Sequence, residues 1–167
     1  AAKGAKVRLL GAGTILGEVL AAAELLEGDW KVASDVFSVT SFTELRRDGM
    51  EVARRARFAG GHSRAGGNPG KSWIEAQLPQ AGTPVIAASD YVSAVADLIR
   101  PWIADKYVAL GTDGFGRSDT RASLRRFFEV DRHSVAVAAL RALGDARAAA
   151  AMERYGIDPA AAPSWER

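Results

Sequence analysis

The stretch GTDGFGRSDT, residues 111 to 120, gathers several groups capable of chemistry. Glycines, two acids (Asp113 and Asp119), Arg117 and several hydroxyls surround one phenylalanine, Phe115. It follows an apolar run, Tyr107 to Leu110, that reads as a strand, and it precedes a helical pattern starting near Arg121. Open α/β sheets bind ligands at the carboxyl ends of their strands. Gly-rich backbone at such a place can cradle an anion. The competing reading is a structural turn that locks one domain against another.

The other candidates are weaker. GAGTILG, residues 11 to 17, spaces its glycines G-x-G-x-x-x-G, one residue too long for the dinucleotide fingerprint. Asp35 stands at about the right distance for the ribose-binding acid, but it precedes Val36, at the wrong end of the second strand. A tight strand-to-helix turn is the better reading. His62 and His133, the only histidines, have no acid at metal-ligand spacing, and no H-E-x-x-H, G-x-S-x-G or P-loop pattern occurs. Arg46, Arg47, Arg54, Arg55 and Arg57 lie along one helix with Glu44, Asp48 and Glu51 beside them, the pattern of a solvated charged face.

The elements that must position these groups alternate. Strand runs at 7–10, 36–39, 84–88 and 106–110 are separated by helical patterns, the mark of a parallel sheet covered on both faces. Thr14 and Thr43 are expected to cap the first two helices, with Gly28 ending the first. Residues 59–71 are Gly-rich and aperiodic, which predicts a mobile loop. The 167 residues suit one domain with a substantial core. Net charge is only +2, so nothing demands nucleic acid. There is no cysteine, which excludes disulfides and thiolate chemistry and fits a reducing cytosol. No run approaches the ~20 apolar residues of a membrane span.

Three segments carry a resemblance: SVTSFTELRRDG (38–49), ASDYV (88–92) and LGTDGFGRSDTRASLRRFFEVD (110–131). VRLLGAGTILGEVLAAAELL (7–26) and SVAVAALRAL (134–143) fit the same pattern in order. The chain resembles the C-terminal, transketolase-like domain of the homodimeric, decarboxylating component of bacterial pyruvate dehydrogenase complexes. The Gly-rich 57–71 segment departs from that family's usual polar, proline-bearing stretch.

The resemblance implies a three-layer α/β/α fold with a mostly parallel sheet and one antiparallel strand. It implies that residues 1–167 are a single domain of a larger enzyme. Thiamine diphosphate and magnesium would be bound by its other domains, and the chain would hold no catalytic, cofactor or metal residue. The expected partners are those domains, the homodimer partner and the dihydrolipoyl acetyltransferase core, in the cytoplasm. The chain would organise the dimer and be inactive alone. In the 111–120 loop, Asp113, Phe115, Arg117, Ser118 and Asp119 are the structural or inter-domain candidates. Phe115 is expected to be a buried anchor, Ser118 or Asp119 the cap of the next helix, and Arg117 an anion or ion-pair partner. The alternative is a free-standing module that holds a nucleotide or phosphate at Gly11–Gly13 or Gly114–Gly116.

Overall fold

A computed structural model of the chain describes residues 6–58 and 70–167. The expected mobility of 59–71 concerns a segment almost wholly outside those residues. Four strands form one sheet: β1 (Lys6–Gly11), β2 (Ala33–Ser38), β3 (Val85–Ala88) and β4 (Tyr107–Leu110), in the order β2-β1-β3-β4. Every pairing is parallel. The expected antiparallel strand is absent among the described residues. After β4 the described chain is helix and turn, so no segment returns along the sheet edge.

Side chains on β1 alternate between two cores, as a strand of period two must. Val7 and Leu9 face α1 (Leu16–Trp30) and α6 (Arg132–Ala142), joined there by Val19, Ile86 and Leu140. Leu10 faces the opposite core with Phe42, Ile74, Val85, Ala87 and Ile99, beneath α2 (Phe42–Phe58), α3 (Trp73–Gln77) and α4 (Ser93–Asp97). Two short helices, α5 (Arg121–Phe127) and α7 (Ala148–Arg154), complete the first side. The order runs outward in both directions from β1 and β3. This creates a topological switch point between their carboxyl ends.

Local rules place the helix boundaries differently from expectation. Ser41 Oγ, not Thr43, accepts the Glu44 N–H at 3.1 Å and caps α2. Thr14 does not cap α1; its hydroxyl donates to Asp90 Oδ2 at 3.3 Å. Helix α1 passes through Gly28 and ends at Trp30, with Lys31 left-handed at φ 55°. The α2 arginines do form a solvated face. Glu44 pairs with Arg47, and Glu51 lies 3.6 Å from Arg55, all of them exposed. Such pairs contribute only about 0.3–0.5 kcal/mol each.

At the end of β4, a Cβ on Gly111 would meet the backbone N of Ser93 at 2.2 Å and the Tyr91 carbonyl oxygen at 2.6 Å. Backbone atoms cannot step aside as a flexible side chain can. Gly17, the second residue of α1, has open space where its Cβ would be. Gly111→Ala is expected to destabilise the fold by about 1–3 kcal/mol. Gly17→Ala is expected to stabilise it by about 0.4–1 kcal/mol. Equilibrium denaturant unfolding of the two variants checks the opposite signs.

Candidate functional site

The 111–120 loop lies across the carboxyl edge of the sheet, and its first half is firmly held. The Thr112 N–H donates to the Tyr91 carbonyl at 2.9 Å, and the Thr112 hydroxyl to that of Asp90 at 2.9 Å. Asp113 Oδ1 accepts the Ser93 N–H at 3.1 Å, so an acid twenty residues downstream serves the start of α4. The Ser164 hydroxyl donates to the Asp113 carbonyl at 2.5 Å and ties the C-terminal segment to the loop. Gly114 adopts φ 120°, and a Cβ there would meet the Ser164 carbonyl oxygen at 2.8 Å. Only glycine fits both conditions.

The second half of the loop departs from expectation. Phe115 is 83% exposed, so it is no anchor within this chain. The backbone is pulled down by Ser93, Tyr91 and Ser164, and the turn at Gly114 leaves the next side chain outside. Neither Ser118 nor Asp119 caps α5. Thr120 does, accepting the Ser123 N–H at 3.3 Å, while Asp119 Oδ1 accepts the adjacent Thr120 N–H at 2.6 Å. Ser118 is exposed. Arg117 stacks its guanidinium over the Phe127 ring at 4.3 Å, a cation–π contact that leaves its N–H donors available.

Sequence reasoning missed Glu18. Its side chain is only 7% exposed, in the first turn of α1. One oxygen accepts from Arg125 Nη1 at 2.8 Å, and the other from Arg132 Nε at 2.9 Å and the Arg132 N–H at 3.0 Å. One carboxylate thus gathers α1, α5 and the start of α6. The Arg132 hydrogen bond holds its carboxyl below the ordinary Glu range, against a burial effect that alone would raise it. The partners are more than a hundred residues away in sequence, so no local spacing signals them.

Between these elements lies a cleft of about 320 Å³, open at the carboxyl edge. Ile15, Leu124, Phe128 and Val130 give it an apolar lining, while Arg117, Arg121 and Arg125 line it with charge. Asp90 is the sole carboxylate among its described lining residues. The Gly11–Gly13 turn offers no nucleotide cradle. A Cβ on Gly11 would meet Leu16 Cα at 2.8 Å, so that glycine serves strand-to-helix packing. The Asp90 carboxylate approaches within 3.0 Å of where a Gly13 Cβ would lie and would repel a diphosphate. Asp35 sits within β2, paired to Lys6 at 2.7 Å and short of the carboxyl end. His133 lies against Tyr155, ring centroids 4.6 Å apart, and His62 lies outside the described residues. Among the described residues, no group of three His, Cys, Asp or Glu could hold a metal ion, and no helix is long and apolar enough to cross a membrane.

A family model described as the transketolase-like C-terminal domain matches residues 1–131. The chain belongs to this family. The transketolase-like C-terminal domain is also similar to three proteins named pyruvate dehydrogenase E1 component. Those of Cupriavidus necator and Pseudomonas aeruginosa are each 51% identical over 160 residues, covering 92% of this chain and 17% and 18% of theirs. That of Escherichia coli K12 is 48% identical over 136 residues, 81% of this chain and 14% of its own. The chain therefore spans less than a fifth of the length of these relatives. Magnesium-bound thiamine diphosphate needs several oxygen ligands for its metal. The cleft sets one carboxylate against three guanidiniums among its described lining residues, which repel a divalent cation, and so does not fit it.

Glu18→Gln in this domain is expected to cost about 1–3 kcal/mol, the penalty for under-satisfied buried donors. The larger loss of a fully buried broken pair does not apply, because Arg125 and Arg132 keep 23% and 46% of their side-chain surface. The Glu18 pKa is lowered on folding, so the unfolded chain binds the proton more tightly. Its stabilisation is therefore complete above the ordinary value of 4.5 and declines as pH falls through the lower folded value. Unfolding free energies measured from pH 7 down to acid should converge for wild type and Glu18→Gln.

Proposed function

We propose that this domain is the C-terminal module of a thiamine-diphosphate-dependent pyruvate dehydrogenase. The whole polypeptide decarboxylates pyruvate and passes the two-carbon unit to the lipoyl groups of a dihydrolipoyl acetyltransferase core in the cytoplasm. Thiamine diphosphate and magnesium are held by its other domains. The module organises the homodimer and does no chemistry by itself. The observation that carries this reading is the 51% identity, over 92% of the chain, to E1 components.

The carboxyl edge supplies the means. Three segments converge on Asp113 and Gly114, and each carries an exposed apolar side chain: Tyr91 at 61%, Phe115 at 83% and Trp165 at 60%. Soluble surfaces rarely display clustered large apolar groups without a partner. Here the backbone beneath them is fixed by Asp113, Gly114 and Ser164 before any partner arrives, so little ordering entropy remains to oppose docking. Asp113 shapes the loop, and Phe115 is the contact residue for the rest of the polypeptide. Asp119 holds the loop's exit toward Thr120, beside exposed Ser118.

Phe115→Ala is expected to shift the unfolding free energy of this chain by no more than about 0.5 kcal/mol, as for an exposed site. In the full-length enzyme the same substitution is expected to weaken dimer association and activity together. Sedimentation and pyruvate-dependent carbon dioxide release measure the two. An unchanged full-length enzyme contradicts the docking role. The isolated chain, given thiamine diphosphate and magnesium, is expected to release no carbon dioxide from pyruvate. Turnover by a homogeneous sample contradicts the division of labour.

A further inference from the structure

The arginine-lined cleft lies beside the docking loop and is not needed for it: Gly114 and Gly116 line the cleft, and Phe115 does not. Its three guanidiniums are not equivalent. Arg125 is neutralised by Glu18 at 2.8 Å. Arg117 is oriented by the Phe127 ring, and Arg121 is exposed in the first turn of α5. Neither has a carboxylate within ion-pair range among the described residues. Two uncompensated guanidiniums therefore border an apolar-lined space of about 320 Å³, at the carboxyl edge where open parallel sheets take ligands.

We propose that this cleft binds a small organic phosphate. Arg117 and Arg121 take the phosphoryl oxygens, and the organic body lies against Ile15, Leu124 and Phe128. Guanidinium forks match phosphoryl oxygens in geometry and charge. The volume exceeds what a bare phosphate fills, and the apolar lining would gain nothing from one. Asp90 adds selectivity at the mouth. Its carboxylate opposes a second anionic group on the ligand and accepts a hydroxyl or amine donor, so the preferred ligand carries one phosphate and one such donor.

Calorimetric titration of this chain and of the full-length enzyme with phenyl phosphate, inorganic phosphate and benzoate tests the site. Circular dichroism controls for the folding of each variant. The expected result is saturable binding of phenyl phosphate in both proteins, with inorganic phosphate and benzoate weaker. Arg121→Gln and Arg117→Gln should each weaken it by about tenfold, and Asp90→Asn should tighten it. Absence of saturable binding, or affinity unchanged in both arginine variants, overturns the site. Equal affinity for inorganic phosphate overturns the organic ligand, and equal affinity for benzoate overturns phosphoryl selection. Binding by the chain but not by the full-length enzyme shows the cleft is covered by the parent protein and overturns the proposal.

Discussion

The carboxyl-edge architecture depends on one buried carboxylate. Glu18 holds Arg125 and Arg132, at the end of α5 and the start of α6, against the first turn of α1. A desolvated acid is costly unless charged donors surround it, and here three donated hydrogen bonds at 3.0 Å or less do so. The arrangement also sets the charge of the cleft. Because Glu18 consumes Arg125, only Arg117 and Arg121 are left to act on a visitor. Stability and the proposed ligand binding thus draw on the same arginine cluster in different ways.

Once α5 and α6 are fixed to α1, the loop between β4 and α5 has little freedom. Asp113 reaches across to Ser93, and the C-terminal segment closes on Gly114 through Ser164. A rigid backbone that displays an exposed phenylalanine is a poor arrangement for a free monomer. It is a sensible one for a module that meets a larger body. That body is consistent with relatives more than five times the length of this chain.

Much of the fold was legible. Short apolar runs separated by helical periodicity identified the parallel α/β sheet, because strand and helix periods are local properties. The family was legible in segments such as 110–131, whose loop and helix occur together. Helix caps were less so: Ser41 and Thr43, or Asp119 and Thr120, are chemically similar neighbours, and only the backbone turn selects between them. Glu18 and the Asp113–Ser93 bond were invisible, since their partners meet only after the sheet forms. Phe115, expected to be covered by the sheet or by a neighbouring domain, is not covered by its own chain, because apolarity does not say which body covers a side chain. The antiparallel strand came from the resemblance and has no run of residues after β4 to form it.

A docking face at the carboxyl edge, as proposed for this domain, must show in the backbone amides of the loop. Amide hydrogen exchange, compared between this chain and the full-length protein, reads it. Residues 114–117 are expected to exchange freely in the chain and to become strongly protected in the full-length protein, while β1 and β3 are protected in both. Equal exchange of the 114–117 amides in the two proteins would contradict it.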